Sequence, residues 1–423
     1  MRRPLNRIGL IPIFLISLVS PLLAAGDFSF KTGLGYEFIS QEYFLDSLAA
    51  VGADSLETVT SLKTTYLDDI RGQLTLTYTS PDRRLLELGG ILEQTPDIFR
   101  ARFTSNYRPT LGRLKADWNG ELDWRQGVGD STEAGDGYLL GYGKARFMLP
   151  ISGASSLWWQ VQSEFVRFDS AGSYNFDHNR YGGKLGLVWS MKDLSSLSVN
   201  AFLMTRFVPD SSSLDYQSYG VEASYFGFKS RSTLDMYGRL EKKDYRLPAD
   251  RDDYTRLELN GRHKFNLTER LFFQQEWDLE AHYFVQTDFV NRNYRRLKLV
   301  LQTGIQGVAL SAALGPHMEL LSEAQEELVS GEDYFEGGIR TNIDFFRPNL
   351  FGLLESTLGH RNIYSEAELQ SDFVFHRFNF MVDWRFGQKV SLNAMISAEW
   401  EWHDHREENS QLYLVSSWLT CRF

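Results

Sequence analysis

The sequence predicts an all-β fold: a transmembrane, antiparallel up-and-down β-barrel of about 20 strands, within a range of 18–22. Apolar and polar residues alternate with a period of two through most of residues 26–423, which is typical of strands with one apolar face. Several of these runs extend over about 10–14 residues, whereas soluble strands average about 5–6 and tilted membrane strands about 9–11. Short and long connectors alternate along the chain, as they do in membrane barrels.

The composition narrows the class of protein. Aromatic residues make up 14% of the 423 residues, which is too many for a disordered chain. The single cysteine, Cys421, excludes a disulfide framework and a cysteine-based zinc site. A net charge of -11 argues against nucleic acid as a partner. The mean hydropathy of -0.32 excludes a bundle of membrane-spanning helices but is compatible with a barrel, because strand alternation averages out.

The N-terminus has the features of an export signal. Three arginines lie within the first seven residues, an apolar run follows over 8–23, and small residues occupy 24–26. This order resembles a secretory signal peptide, predicted over 1–25, and leaves 26–423 as a single barrel domain. The alternative is a membrane anchor that is never cleaved, which the short, proline-interrupted run disfavours.

The strands follow from the alternation, taken in order. The first, 28–40, carries Phe28, Leu34 and Tyr36 on one face, and the same pattern recurs to the last strand. We find no convincing helical period. The twenty predicted strands are 28–40, 67–79, 85–93, 98–107, 111–125, 137–149, 155–168, 180–191, 195–207, 216–228, 231–241, 254–266, 270–284, 294–305, 307–321, 333–346, 349–361, 372–386, 389–403 and 411–423.

The connectors divide into two classes. Short ones with turn residues should lie at one end of the barrel, together with both termini, and long polar ones at the other end. The least certain points are the link 94–97 and the separation of two strands near Gln306, which set the range of strand counts. The short connectors include 80–83, 108–110, 192–194, 266–268, 347–349 and 387–389; the long ones include 41–66, 126–136, 242–253, 322–332 and 403–410.

The last predicted strand carries a family resemblance. Tyr413, Val415, Leu419 and Phe423 lie on one face of a strand that ends in phenylalanine. This pattern resembles the assembly signal of bacterial outer-membrane β-barrel proteins, a porin-like class, without indicating a particular family within it. The resemblance implies recognition by the barrel-assembly machinery, location in the cell outer membrane, and contact with outer-membrane lipids and lipopolysaccharide. The alternative is a periplasmic all-β protein, such as a propeller, that ends in phenylalanine.

One set of charges recurs opposite the apolar face of three consecutive strands. The tight turn after Phe265 predicts that Glu280 lies near Arg256, and the following connector predicts that Lys298 lies near Glu280 on the other side. The charged positions on these strands that are candidates for the barrel interior are Arg256, Arg262, Glu276, Asp278, Glu280, Arg296 and Lys298.

Two further sets accompany the first. A mixed set on three consecutive strands contains Glu93, Arg100, Arg102, Glu121 and Asp123. A basic set near the short-turn end contains Arg108, Arg113, Lys115, Lys144 and Arg146. One interpretation is that all three sets are cross-strand salt ladders that stiffen a wet wall. The other is that some members line a constriction and select ions or anionic solutes.

Polar residues near the strand ends do not suggest catalysis. His403, Asp404 and His405 could contribute to a metal site, but further ligands are not evident, so solvated loop residues are the better interpretation. Asp177 and His178 are reminiscent of omptin-type proteases, yet no second acidic pair is in register. The sequence also shows no Ser/His/Asn arrangement of an outer-membrane phospholipase. We therefore predict no catalytic residue, no metal and no cofactor.

Large aromatic residues fall near the ends of the predicted strands, on their outward face. They are expected to form the aromatic girdle at the two membrane interfaces, and ordinary strand packing is the alternative. The residues concerned are Trp124, Trp189, Trp384, Trp400, Trp402 and Tyr413.

A large barrel with a charged interior predicts a channel for small polar solutes, with no chemistry of its own. The first strand starts a few residues after the predicted cleavage site, so we expect no plug; only 41–66 is long enough to fold inward, through its moderately apolar segment 56–67. The alternative is a structural, docking or adhesion barrel closed by inward Trp158, Trp418 and Tyr142. A barrel hydrolase at the outer rim is the third, weaker possibility.

Overall fold

The computed structural model describes residues 27–422, except for 44–46, 51–55, 60–61, 81–85, 96–97, 128–136, 170–175, 210, 247–252, 286–292, 324–332, 365–370 and 405–408. For 41–43, 47–50, 56–59 and 62–69 only the backbone is described. The predicted signal peptide, 1–25, and the terminal Phe423 lie outside the described residues.

The described chain is almost entirely β-structure. The strands are β1 Asp27–Tyr43, β2 Ser47–Ala50, β3 Leu56–Val59, β4 Leu62–Thr79, β5 Leu86–Gln94, β6 Ile98–Tyr107, β7 Thr110–Leu111, β8 Leu114–Gly127, β9 Tyr138–Pro150, β10 Ser155–Phe168, β11 His178–Ser190, β12 Ser196–Phe207, β13 Tyr216–Lys229, β14 Ser232–Tyr245, β15 Tyr254–Asn266, β16 Leu271–Phe284, β17 Tyr294–Gln306, β18 Leu310–Glu323, β19 Tyr334–Arg347, β20 Leu350–Ile363, β21 Phe373–Arg385, β22 Val390–His403 and β23 Ser410–Arg422. A 3₁₀ turn, Ser212–Leu214, lies between β12 and β13. No helix in the described residues is long and apolar enough to cross a membrane.

Twenty strands form a closed antiparallel ring. Each pairs with its neighbours along the chain, and β1 pairs with both β4 and β23, which closes the sheet. At the closure, Leu34 lies opposite Leu419 and Phe38 opposite Val415. The two-residue β7 pairs with the start of β8, and β2 pairs with β3 in a separate hairpin. Closure pairs the backbone of both terminal strands and leaves no free sheet edge, as a membrane barrel requires.

The predicted strands correspond to the observed ones, with shifts of a few residues at their ends. Separate strands do meet near Gln306, where the Gly307 N–H donates to the Leu310 carbonyl at 2.7 Å. The long connector predicted over 41–66 is present but shorter, over 44–61. β1 and β4 extend into this segment as far as Tyr43 and Leu62, and the hairpin β2–β3 occupies part of the remainder.

The outward face of the barrel is apolar and exposed. Leu34 is 60% exposed, Ile70 61% and Ile339 57%, so these side chains do not pack against a second layer. Tyr36, also on this face, is 38% exposed. This distribution suits contact with lipid and would be costly in water, because soluble proteins rarely expose such large apolar areas.

Tight turns gather at one end of the ring, as predicted. Pro348 and Asn349 alone join β19 to β20, and Ser230 and Arg231 join β13 to β14. In the turn before β12, the Ser195 N–H donates to Asp193 Oδ1 at 3.2 Å and lowers the pKa of this carboxyl group. These turns fix the register of the strands they join.

Candidate functional site: the charged inner face

The polar face of each strand points into the barrel interior, the lumen, because alternation assigns the apolar face to the outside. Register then sets which charges meet. Across β16 and β17, Asp278 lies opposite Lys298, and Glu280 lies opposite Arg296. Opposite charges at directly paired positions stabilise adjacent strands. The inner wall is therefore a network of ion pairs that runs from strand to strand.

Glu280 lies at the centre of the first predicted set. Its Oε1 is 2.8 Å from Arg256 Nη2, as the sequence predicts, and its Oε2 is 3.3 Å from Arg296 Nη2. Arg296 also reaches Asp278 at 3.1 Å. The prediction that Lys298 on β17 is a neighbour of Glu280 was wrong. The ion pair described for Lys298 is with Glu319, at 3.9 Å. A shift of two residues in register keeps a side chain on the same face but changes its partner.

Glu276 binds arginines from two different strands. Arg262 Nε lies 3.3 Å from its Oε1, and Arg340 Nη1 lies 3.4 Å from its Oε2. Arg340 is on β19, three strands away from β16, and its other nitrogen, Nη2, contacts Glu355 at 2.8 Å. The intervening Val300 is only 2% exposed. The sequence did not single out Arg340, because a contact across three strands leaves no periodic signal.

The second predicted set also forms a network. Arg100 donates from Nε to Asp123 Oδ1 at 2.9 Å and from Nη2 to Oδ2 at 2.5 Å, a two-point contact. Arg100 further reaches Glu93 at 3.7 Å, and Arg102 contacts Glu121 at 3.3 Å and Asp123 at 3.5 Å. Asp123 is 3% exposed, and the arginines cover it from the lumen side. All five members predicted from the sequence come together here.

The third, basic set does not form one positive patch. Arg108 is 3.6 Å from Asp117, which also lies opposite Arg146 in register. The Arg146 guanidinium sits over the Trp158 ring, 4.3 Å from its centroid, and Trp158 is 5% exposed. The acidic residue between these basic side chains reduces their mutual repulsion, and Trp158 forms part of the inner wall.

The most buried charge of the described residues is Glu336, which the sequence did not single out. Its side chain is 0% exposed, and it accepts hydrogen bonds from Arg361 Nη2 at 2.6 Å and from Arg377 Nη1 at 2.8 Å. Arg377 also donates to Glu399 at 2.6 Å. Two arginines supply the charge that a buried carboxylate requires. We call Glu336, Arg361, Arg377 and Glu399 the Glu336 cluster.

His317 and Glu319 lie beside this cluster. His317 Nδ1 is 3.5 Å from Glu336 Oε1 and its Nε2 is 4.0 Å from Glu319 Oε2, so the three residues could present ligand atoms to a cation. Arginines already occupy both oxygens of Glu336, however, and Glu319 accepts a hydrogen bond from Tyr334 at 2.7 Å. The carboxylate oxygens that a metal ion would need are therefore already bound by protein groups, and the three residues fit a metal ion poorly.

The outward aromatic residues lie near strand ends, where the girdle prediction places them, and all but Trp400 and Tyr413, which are partly buried, are exposed. Trp124 is 40% exposed, Trp384 45% and Trp402 46%. Trp400 donates from its indole N–H to the Tyr413 hydroxyl at 3.0 Å. Rings that present an apolar body and a polar tip suit the border between lipid and water.

A hydrogen-bonded chain of polar side chains also lies on the outward face, close to the short turns. Ser232 Oγ is 2.8 Å from His263 Nε2, and the Gln275 amide nitrogen is 3.2 Å from His263 Nδ1. The sequence showed no Ser/His/Asn arrangement because these residues come from three strands. The third member is an amide rather than a carboxylate, and mutual hydrogen bonding explains how these groups are tolerated beside lipid.

The residues considered for catalysis at the long-connector end have structural partners. Asp177 Oδ1 accepts a hydrogen bond from the Phe168 N–H at 2.8 Å, and His178 Nε2 lies 3.5 Å from Glu164. His403 Nε2 lies 3.7 Å from Glu401. His405 lies outside the described residues. The contacts of Asp177 and His178 join them to the end of β10, the contact of His403 with Glu401 lies within β22, and none of these contacts brings a nucleophile to a base.

Comparison with solved structures places the fold in a class. No protein-family model matches the chain, and no curated protein matches it. The solved structures it resembles are outer-membrane β-barrels, and the fold is that of this class.

Three of these structures illustrate the likeness. A mutant of the ferric enterobactin receptor PfeA from Pseudomonas aeruginosa has a TM-score of 0.55 at 9% identity, over 94% of this chain and 81% of that one. The copper transporter OprC has a TM-score of 0.53 at 10% identity, over 94% and 81%. The siderophore receptor PirA from Pseudomonas aeruginosa has a TM-score of 0.52 at 11% identity, over 93% and 80%. At such low identities the likeness concerns the fold.

Proposed function

We propose that the protein is a porin-like channel that lets small polar or charged solutes cross the outer membrane passively. The observation that carries this proposal is a closed ring of twenty strands whose interior is lined by charged side chains. Charges of this density need water or extensive pairing. Partly exposed ion pairs, such as Arg102 and Glu121 with 34% of each side chain exposed, favour a hydrated lumen.

The proposed location follows from the fold and the outward face. An exposed apolar band with tryptophans near the strand ends suits a bilayer, so outer-membrane lipids and lipopolysaccharide are the proposed surroundings. Tyr413, Val415 and Leu419 lie outward on β23, which supports a role for this strand, with Phe423, as an assembly signal read by the barrel-assembly machinery. Export by the signal peptide 1–25 is part of the same proposal.

The candidates for ion selectivity are the charged groups nearest the lumen water. Arg262 is 60% exposed, and Arg296 and Lys298 are 36% and 39% exposed. Arg100 and Arg102, both on β6, have side chains that are 30% and 34% exposed. Selection at these positions would depend on the sign of a solute's charge rather than on its shape. The remaining candidates are Glu121, Arg256, Glu276 and Asp278, together with Asp123 and Glu280, which are largely buried and would act through their arginine partners.

Single-channel recording in planar bilayers tests the proposal. The folded protein should carry a steady, ohmic current, and the double variant Arg100→Glu/Arg102→Glu should move the reversal potential in a salt gradient towards cation selectivity. A matched control replaces outward-facing Leu203 and Ala201 by Val, which leaves the lumen unchanged. A correctly folded barrel without current would refute the channel.

The alternative is a structural or docking barrel whose lumen is occluded. Trp158 lies under Arg146 in the inner wall. Trp418 lies so close to Gly35 that a Cβ there would be 2.6 Å from the indole. Large inward side chains such as these, with Tyr142 nearby on β9, would narrow the interior. In the recording above, this alternative is supported by folded protein that never conducts. The receptors and transporters that share the fold offer no support for an enzyme.

A further inference from the structure

A recess in the lumen wall lies across β14–β17. Its volume is about 470 Å³, and it opens towards the interior. Charges of both signs line it, together with an amide and an aromatic ring. The lining side chains that matter here are Asp235, Tyr237, Asn260, Glu276, Asp278 and Lys298.

Most of the charged groups in this recess are already satisfied. Glu276 binds Arg262 and Arg340, and Asp278 accepts a hydrogen bond from Arg296 at 3.1 Å. Such groups shape the recess but have little charge left to offer a ligand.

Two groups differ from the others. Asp235 is exposed, and its side chain forms no hydrogen bond or ion pair with any residue that the structure describes, including Arg262, which lies opposite it in register. Lys298 is 39% exposed, and its ion pair with Glu319, at 3.9 Å, is at the limit of contact. A carboxylate on one side and an ammonium group on the other are thus available to a solute.

The two groups are separated by a distance that fits a short dipolar molecule. Asp235 on β14 is level with Val300 on β17, so Lys298 lies three strand spacings across and two residues along the sheet, roughly 16 Å away between Cα atoms. Both side chains extend into the recess and shorten this gap. An extended dipeptide is about 7 Å long, with a hydrogen bond of about 2.8 Å at each end. Asn260, which lies between Tyr237 and Asp278 in register, can meet its peptide group.

We propose that this recess binds a small zwitterion of dipeptide length, with its ammonium group on Asp235 and its carboxylate on Lys298. The inference rests on the proposed channel for its biological meaning, and it names the class of solute that the channel would take. A solute with only one of the two charges would leave either Asp235 or Lys298 without a counter-charge. Specificity then comes from the pair of opposite charges at a fixed spacing.

Glycylglycine is the probe for the test, applied in two measurements. In single-channel recordings it should block the current in a concentration-dependent way, and in calorimetric titration of the folded protein in detergent it should bind without any need for current. N-acetylglycine, which lacks the ammonium group, and glycylglycinamide, which lacks the carboxylate, should bind about tenfold more weakly, because each loses one of the two charged hydrogen bonds.

Substitutions in the chain test whether glycylglycine binds at this recess. Asp235→Asn and Lys298→Met should each weaken glycylglycine binding about tenfold. Asp235→Glu, which keeps the charge, should retain most of it. The matched controls Asp117→Asn and Lys144→Met, on β8 and β9 away from the recess, should bind glycylglycine like the unmodified protein.

The outcomes separate the two proposals. Equal affinity for all three probes, or for the recess variants and the controls, would overturn the zwitterion site even if the channel conducts. Folded protein without current that still binds glycylglycine through Asp235 and Lys298 would overturn the channel and support the site.

Discussion

Two charge networks on the inner wall are built alike and differ in how far the lumen reaches them. In the Glu336 cluster on β19–β22, a carboxylate with 0% exposure lies between Arg361 and Arg377. In the network on β5–β8, Asp123 has a 4% exposed side chain and lies between Arg100 and Arg102. Both arise from opposite charges at neighbouring register positions.

Aromatic rings account for the difference. The Arg377 guanidinium lies 4.3 Å from the ring centroid of Phe375, which is 0% exposed, and the Arg361 guanidinium lies 4.1 Å from that of Tyr334. Gly359 makes room for Phe375, since a Cβ at this position would be 2.5 Å from the ring. Rings over a charge pair exclude water and strengthen the pair.

The comparison indicates that cross-strand ion pairs of the same kind serve two purposes, stability of the wall and contact with solutes. In the Glu336 cluster the central carboxylate is sealed, while Arg361 and Arg377 are 21% and 28% exposed, and we expect the cluster to hold the wall together. The arginines of β6 are about a third exposed, and we expect them to act on passing ions. Four substitutions test this division, from the largest expected effect to the smallest.

Glu336→Gln should have the largest effect. It removes the carboxylate between Arg361 and Arg377 and leaves only Glu399 of the cluster, which binds Arg377, to balance the two arginines, and this costs about 3–5 kcal/mol. Urea unfolding of the protein in lipid vesicles measures the loss. Glu399→Gln is the control, because Glu399 is 32% exposed and binds Arg377 alone. If both variants lost the same stability, the sealing of the cluster would have no consequence.

Asp123→Asn should cost less, about 1.5–3 kcal/mol, because it removes charged hydrogen bonds from Arg100 while the arginines can still reach lumen water. The same unfolding measurement applies. A loss equal to or larger than that of Glu336→Gln would contradict the ordering. Conservative Asp123→Glu should recover part of the stability.

Arg102→Gln should barely change stability, by less than about 1 kcal/mol, because its contacts at 3.3 and 3.5 Å are partly exposed. In the proposed channel it should instead shift the reversal potential towards cation selectivity, because it removes a positive charge from the lumen wall. Arg361→Gln is the matched comparison and should destabilise the barrel while shifting the reversal potential less. The opposite pattern would reverse the assignment of the two networks.

Asp383→Asn should have the smallest effect, within about 0.5 kcal/mol. Its pair with Arg385 is long, at 3.9 Å, and both side chains are well exposed, at 41% and 68%. Unfolding midpoints in urea should coincide with those of the unmodified protein. A clear loss would show that pairs at the turn end of the wall carry more stability than their exposure indicates.

Sequence reasoning predicted one network and missed the other for a physical reason. Arg100, Arg102 and Asp123 lie on strands whose short connection holds their spacing, so their meeting follows from local order. Glu336 lies opposite Arg361 across the two-residue turn between β19 and β20, so that pair was open to prediction. Its contact with Arg377, two strands away on β21, and its sealing by Phe375 packed against Gly359 were not. Packing of this kind leaves no periodic trace.

The misplacement of Lys298 has a related cause. β16 and β17 are joined through 285–293, and a connector of this length does not fix register. The actual register places Arg296, rather than Lys298, opposite Glu280. Alternation determines the face of a side chain but not its height on the neighbouring strand.

The amino-acid sequence by itself therefore determined the strands, their number, which side chains face lipid and which face the interior, since these depend on period-two alternation within each strand. Only the tertiary structure decided which charges meet, which of them are sealed by aromatic rings, and where a recess remains. Those features depend on register across connectors and on contacts between strands that are distant in the chain, and short-range pattern carries no information about either.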